Sequence, residues 1–220
     1  MIFDWNYAWA IMPRLAQGLV VTIEATLLGM AVALSLGLAL ALARRSRFRL
    51  IAWPTGALVE FIRSTPLLVQ IYFLFYVLPD AGVRLSPLAT GVLALGLHYA
   101  AYCSEVYRAG LESVPKGQWD AAIALNLGRW RTMKDVIIPQ AIPPIVPALG
   151  NYLVAMFKDT PLLSAITVLE LLQAAKLIGA ESFRYTEPLT LVGALFLVLS
   201  LISAAAIRLV EGRLRMEGHA

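Results

Sequence analysis

Charged residues are scarce in this chain. Asp, Glu, Lys and Arg make up 15% of its 220 residues, whereas a typical soluble domain carries about 25%. Hydrophobic residues make up 60%, and the mean hydropathy is +0.74. This composition excludes intrinsic disorder and a collagen-like repeat, and it indicates an integral membrane protein.

Cysteine and catalytic motifs are also lacking. Cys103 is the single cysteine, so an internal disulfide is excluded and the redox compartment stays open. The chain has no G-x-x-x-x-G-K-[ST] loop and no H-E-x-x-H, G-x-S-x-G or C-x-x-C pattern. Its histidines, His98 and His219, fall in a predicted span and in the tail, so we expect no metal site. We therefore expect a transport or docking subunit, not an enzyme, with no cofactor of its own.

Apolar runs long enough to cross a bilayer recur along the sequence. A helical span needs roughly 20 mostly apolar residues to cover about 30 Å of hydrocarbon. Five runs qualify, at residues 18–43, 59–78, 87–107, 141–157 and 188–207. We expect an all-α membrane protein with five transmembrane helices, forming a single domain over residues 1–220 with no room for a nucleotide-binding domain. The first seventeen residues are expected to form a helix on the outer surface.

Basic residues are distributed unevenly between the two sides of these spans. With the N-terminus outside, the cytoplasmic side receives Arg44, Arg45, Arg47, Arg49, Arg108, Lys116, Arg129, Arg131, Lys134, Arg208, Arg213 and Arg215. The outer side receives Arg14, Arg84, Lys176 and Arg184. The positive-inside rule then predicts an outside N-terminus and a cytoplasmic C-terminus. The net charge of +4 follows from this topology and needs no nucleic-acid partner.

Two stretches are too polar to span the membrane. The cytoplasmic stretch, about 108–140, predicts a helix at 121–126, a break at Gly128 and a second helix at 129–137 that is stopped by Pro139. The other stretch, about 160–187, places apolar residues at near-helical spacing and predicts an amphipathic helix on the outer side.

The cytoplasmic stretch carries a compact pattern: QWDAA at 118–122, NLGRW at 126–130 and VIIPQA at 136–141. The small side chains of Ala121 and Ala122 would let this helix approach another surface closely. Asp120 would oppose basic groups or cap the helix N-terminus. Asn126 tolerates a left-handed turn, which could also fall at Gly128. Together these features predict a rigid helical knob.

This pattern resembles the EAA loop of ABC-transporter permeases, which has an acid and two alanines, a glycine six residues after the acid, and then I-x-L-P. Here Asp120 replaces Glu, Asn126 replaces Gly, and Pro139 matches the proline. FIRSTPLLVQ at 61–70 and KDTPLLSAI at 158–166 are similar to the polar amino-acid (histidine/glutamate/glutamine-type) importer branch. YFLFYVLPD at 72–80 and GLHYA at 96–100 look most like ectoine/hydroxyectoine permease subunits.

The resemblance, which extends over residues 20–208, implies a type I ABC importer permease in a bacterial inner membrane. It implies three kinds of protein partner: an ABC ATPase dimer that uses ATP, a second permease chain, the same or related, and an external solute-binding protein. Membrane lipid surrounds the assembly. The implied solute is polar or zwitterionic, such as an amino acid or ectoine. The ATPase-coupling loop would use Asp120, Ala121, Ala122, Asn126, Gly128 and Pro139.

Polar side chains at membrane depth are costly and mark candidate pathways. The candidate substrate path comprises Glu24, Glu60, Arg63, Gln70, Asn151, Lys158 and Asp159. Each has a structural alternative: Glu24 could hydrogen-bond a neighbouring helix, and Glu60 and Arg63 could form an internal pair. Two other classes stay open, a membrane enzyme and a channel. No paired carboxylates or nucleophile–base set favours an enzyme, and the last run lacks the regular polar spacing of a pore.

Overall fold

The computed structural model describes residues 3–217, and the side chains of residues 3–212. His219 lies outside the described residues, as do the side chains of Arg213 and Arg215. No strand occurs within this range. The α-helices are α1 (Trp5–Arg44), α2 (Arg49–Ser64), α3 (Leu67–Tyr72), α4 (Pro87–Glu112), α5 (Lys116–Ala124), α6 (Arg129–Arg131), α7 (Ile138–Asp159), α8 (Leu171–Ser182) and α9 (Thr186–Glu217).

The prediction of five spans is not confirmed. Among the described residues, three helical segments are long and apolar enough to cross a membrane, Trp5–Arg44, Arg129–Ile166 and Thr186–Gly212. A fourth is obtained if the bent pair Arg49–Ser64 and Leu67–Ala81 counts as one span. Helix α4, the third predicted span, is absent from this set.

The second predicted span, 59–78, is broken at Pro66. Helix α2 ends at Ser64, and the chain turns by 106° before continuing through α3, a π-helical turn (Phe73–Val77) and a 3-10 turn (Leu78–Ala81). Proline disfavours helical geometry in the preceding residue, and Thr65 is extended (ψ 139°). The Gln70 side chain stabilises the break, because its Nε2 donates to the carbonyls of Ile62 (2.8 Å) and Thr65 (3.2 Å).

Helices α1 and α4 pack closely along the centre of the molecule. A Cβ built on Gly37 would lie 2.7 Å from the Cβ of Cys103 and 2.9 Å from the carbonyl oxygen of Ala100. At Gly96 it would lie 2.5 Å from a methyl of Val32. The helices therefore approach to a distance that glycine alone permits, which buries the middle of α4.

We expect Gly37→Ala to destabilise the protein by about 1–3 kcal/mol, because the added methyl forces these two backbones apart. Gly193→Ala is the matched control, since a Cβ there meets nothing within 4 Å and α9 gains helix propensity. Thermal unfolding in detergent should give a lower midpoint for Gly37→Ala and an unchanged or higher one for Gly193→Ala. Equal midpoints would contradict the close approach.

The cytoplasmic stretch forms a helical hairpin, but its second helix does not end where the sequence predicts. Helix α5 is followed by a left-handed residue, which is Asn126 (φ 54°), whereas Gly128 is extended (φ −62°) and caps the next helix. The prediction that Pro139 stops the second helix is wrong. A π-helical turn (Thr132–Ile137) joins α6 to α7, and Pro139 lies just after this turn, so the helical segment continues past it from Arg129 to Ile166.

The stretch 160–187 is divided between a 3-10 helix and α8 and does not form one amphipathic helix. It begins as a 3-10 helix (Thr160–Ile166), and α8 starts only after the buried Glu170. The Glu170 carboxylate accepts the N–H groups of Leu172 (2.9 Å) and Gln173 (2.7 Å), which cap the helix. Burial of the carboxyl raises the pKa of Glu170 above its usual value, and the two N–H donors offset only part of this rise. The N–H of Leu171 donates to Thr22 Oγ1 on α1 (3.1 Å).

The predicted separate surface helix at the N-terminus is wrong, because these residues are the first turns of α1. Asp4 caps them by accepting the N–H groups of Asn6 (3.0 Å) and Tyr7 (3.2 Å). The Tyr7 hydroxyl donates to Ser182 Oγ (2.7 Å), which ties the start of α1 to the end of α8. The hydrogen bond to Ser182 therefore holds the first turns of α1 against the end of α8.

Candidate functional site

The cytoplasmic hairpin presents an exposed apolar surface. Ile123, 71% exposed, and Leu125 and Trp130, both more than 70% exposed, share this projection with Asp120 and Ala121, which are also exposed. We call the surface formed by Asp120, Ala121, Ile123, Leu125 and Trp130 the docking knob. Large apolar side chains exposed on a short polar hairpin are typical of a protein interaction site.

The base of the docking knob is packed firmly onto the helices beneath it. Ala122, 2% exposed, points inward, and a core cluster of Val114, Ile137, Ala141 and Ile145 lies below. Tyr107 and Leu111 of α4 pack against this cluster, so the base of the knob contacts both α4 and α7.

A second group of functional side chains lies between α4 and α7. The rings of His98, Tyr99, Tyr102 and Tyr152, the aromatic cluster, contact one another, with centroids 5.2 Å apart for His98–Tyr102, 5.7 Å for Tyr102–Tyr152 and 6.0 Å for Tyr99–Tyr152. His98 Nδ1 lies 3.2 Å from Gln70 Oε1, which links the aromatic cluster to the break after α2. These rings offer a continuous polar–aromatic wall.

Opposite charges lie at the two ends of the aromatic cluster. At one end, the Tyr99 hydroxyl donates to Asp159 Oδ2 (2.7 Å). At the other end, the Arg63 guanidinium lies over the Tyr102 ring, 5.4 Å from its centroid. An anion, aromatic rings and a cation are the kinds of group that bind the opposite charges of a zwitterion.

Arg63 is also part of an ion network centred on Glu105. The Glu105 carboxylate, 20% exposed, pairs with Arg44 of α1 and with Arg108 of its own helix (2.7 Å), and Arg63 of α2 lies 3.8 Å away. Arg108 reaches on to Glu112 (2.6 Å). Glu105 therefore joins the ends of α1 and α2 to α4, close to the cationic end of the aromatic cluster.

We expect Glu105→Gln to lower stability by about 1.5–3 kcal/mol, the range for hydrogen bonds to charged groups, because Arg44 and Arg108 lose a shared carboxylate. Glu112→Gln is the matched control, since Glu112 is 56% exposed and, among the described residues, pairs with Arg108 alone. The thermal unfolding midpoint should fall for Glu105→Gln and change little for Glu112→Gln. Equal shifts would show that the network contributes no more than a surface pair.

The structure brings some of the predicted path residues together and leaves others apart. Arg63, Gln70 and Asp159 border the aromatic cluster, and Glu60 joins them through Arg63 (3.5 Å). Three more are exposed, and within the described residues they have no hydrogen-bond or ion-pair partner: Glu24, Asn151 and Lys158. The described residues also contain no group of three or more side chains suited to a metal ion.

Sequence reasoning missed Tyr102, Tyr152 and Glu105 as members of this site. A signal for Tyr102 existed, since it lies four residues after His98 and therefore on the same face of α4. Tyr152 had no local signal, because its partners lie 50 and 53 residues earlier in the chain. Glu105 had no local signal either, because its pairing with Arg44 depends on how α1 packs on α4.

Comparison with known proteins identifies the family. Residues 33–216 match the binding-protein-dependent transport system inner membrane component, and the chain belongs to this family. The probable amino-acid ABC transporter permease protein y4tG of Sinorhizobium fredii is 48% identical, covering 98% of this chain and 96% of that protein. The glutamine transport system permease protein GlnP of Escherichia coli is 33% identical, covering 98% and 100%.

A solved structure supports the same assignment. The crystal structure of an amino acid ABC transporter with histidines superposes with a TM-score of 0.92 at 34% identity, covering 97% of this chain and all of that chain. The MetNI methionine ABC transporter, at 18% identity and a TM-score of 0.73, shares the fold. The chain is thus an ABC importer permease subunit of type I fold and not an enzyme.

Proposed function

We propose that this chain forms half of the transmembrane path of a bacterial ABC importer for a polar amino acid or a related zwitterion. The observation that carries the substrate class is the aromatic cluster, which has Asp159 at one end and Arg63 at the other. An α-amino acid has an ammonium and a carboxylate group that match these charges. The names of the relatives, amino-acid and glutamine permeases, support the same class.

We propose five spans in one permease domain over residues 1–220, with the N-terminus outside and the C-terminus in the cytoplasm of an inner-membrane protein. Helix α4 would be the fifth, central span, which needs less apolar surface because α1 covers its middle. Its close packing at Gly37 and Gly96 supports this role. The basic residues after α1 and around the docking knob would then share the cytoplasmic side.

The docking knob would bind an ATPase subunit that hydrolyses ATP, so this chain needs no cofactor of its own. An external binding protein would deliver the solute, and a second permease chain, the same or related, would complete the path. Glu24, Asn151 and Lys158 are exposed on α1 and α7 and are available to line that shared path. The exposed apolar side chains of the knob support the ATPase contact.

A narrower form of the proposal is that the solute is ectoine or hydroxyectoine. Two observations support it: the resemblance of 72–80 and 96–100 to such permeases, and the aromatic faces, which suit a delocalised cation. Calorimetry of the cognate binding protein with ectoine, hydroxyectoine and polar amino acids tests it. Binding of amino acids alone would overturn the ectoine form and sustain the amino-acid form. Binding of neither class would overturn both.

A further inference from the structure

A basic pocket lies where the end of α1 meets α2. It has a volume of about 580 Å³ and is lined by Arg44, Arg49, Trp53, Gly56 and Glu60, among others. Gly56 lines the pocket with no side chain of its own, and a Cβ there would lie 3.8 Å from Arg44 Nε, an ordinary contact distance. A side chain there would cover part of the guanidinium that the pocket now exposes.

The charge around this pocket is positive and available. Arg45, Arg47 and Arg49 are exposed, and within the described residues none of the three pairs with a carboxylate. They follow directly on α1, a helix that is long and apolar enough to span a membrane. Clusters of four or more basic residues immediately after a span attract anionic lipid headgroups.

Exposed apolar side chains lie beside the charged residues of this pocket. Trp53, 77% exposed, lies on its rim, and Phe48, Leu50 and Ile51 are exposed at the start of α2. Arg47 lies over the Phe48 ring, 4.7 Å from its centroid. Tryptophan beside arginine at the end of a span is typical of the headgroup level of a bilayer, where apolar side chains meet acyl chains.

We propose that this pocket binds the headgroup phosphate of an anionic phospholipid. Arg49 would contact the phosphate, joined by the part of the Arg44 guanidinium that does not pair with Glu105, while Arg45 and Arg47 would raise the local concentration of anionic lipid. The acyl chains would lie over Leu50 and Ile51. Glu60, at the far end of the pocket, lies 3.5 Å from Arg63, which offsets part of its repulsion of the phosphate.

The test measures lipid binding to the full-length chain by native mass spectrometry from detergent, with dioleoyl phosphatidylglycerol and dioleoyl phosphatidylcholine as probes. We expect phosphatidylglycerol to bind more tightly. Arg49→Gln should weaken its binding about five-fold, the factor that corresponds to roughly 1 kcal/mol per basic residue. Arg84→Gln is the matched control, because Arg84 is an equally exposed arginine in the loop between α3 and α4 and should leave binding unchanged.

A second variant separates a shaped pocket from general attraction to positive charge. Gly56→Leu keeps every arginine but fills the space beside Arg44, and it should weaken phosphatidylglycerol binding at least as much as Arg49→Gln. Four results would overturn the proposal: equal binding of the two lipids, retained binding in Gly56→Leu, displacement of the lipid by soluble glycerol phosphate at equal concentration, and lipid binding that disappears when two copies of the chain associate.

Discussion

Ala121→Trp is expected to abolish ATP-driven uptake while the protein stays inserted and folded. Ala121 is exposed on the docking knob beside Asp120, so a Trp there holds any ATPase surface away from the helix. Losing 1.4 kcal/mol of interface energy weakens association about tenfold, and a misplaced indole should cost more than that. Uptake into proteoliposomes that contain the ATPase measures the loss, and copurification measures the contact.

Ala81→Trp is the matched control for this variant, since Ala81 is also exposed but lies at the opposite end of the predicted topology. Asp120→Lys should give the same loss of uptake as Ala121→Trp by reversing a charge on the knob. Normal uptake in Ala121→Trp, with unchanged ATPase copurification, would show that the docking knob is an ordinary exposed hairpin.

Asp159→Asn is expected to raise the KM for uptake about tenfold or more without changing ATPase copurification. The variant removes the anion at one end of the aromatic cluster, where a solute ammonium would bind, but its amide oxygen can still accept from the Tyr99 hydroxyl. Loss of one close charge pair in a partly desolvated site costs on the order of 1.5 kcal/mol or more. Uptake measured over a range of solute concentrations separates KM from the maximal rate.

Two control variants accompany this prediction, Tyr99→Phe at the site and Asp80→Asn away from it. Tyr99→Phe removes the hydrogen bond to Asp159 but keeps the ring and the charge, so it should raise KM less than Asp159→Asn does. Asp80 is exposed and distant in sequence from the aromatic cluster, so Asp80→Asn should leave KM unchanged. If Asp159→Asn lowers only the thermal midpoint and not the affinity for solute, then Asp159 has a structural role.

Features governed by local backbone chemistry could be predicted from the sequence. The left-handed turn is confirmed at Asn126, because the side chain that follows the two-alanine helix tolerates positive φ. Pro66 disfavours a straight helix in the second predicted span, but the 106° turn at this point cannot be predicted from the sequence. Local propensity indicates where a helix is weakened, whereas the angle depends on what packs on either side of the break.

Features that depend on packing between distant helices could not be predicted. The aromatic cluster joins α4 to Tyr152 and Asp159 of α7, and Glu105 meets Arg44 across 61 residues. The hydrophobic periodicity of one helix does not indicate where another helix crosses it. The same reason explains α4: glycines on α1 and α4 bury its middle, so its own hydropathy understates how deeply it lies in the molecule.

The most direct test of the account is uptake by the reconstituted complex. The chain is placed in proteoliposomes with its ATPase, its second permease subunit and its binding protein, and labelled amino acid is offered on the binding-protein side. The account predicts accumulation above the outside concentration that requires ATP on the ATPase side and is absent with ADP. Equilibration without the ATPase would contradict it and indicate a channel, and no movement of amino acid or ectoine under any condition would contradict the proposed solute.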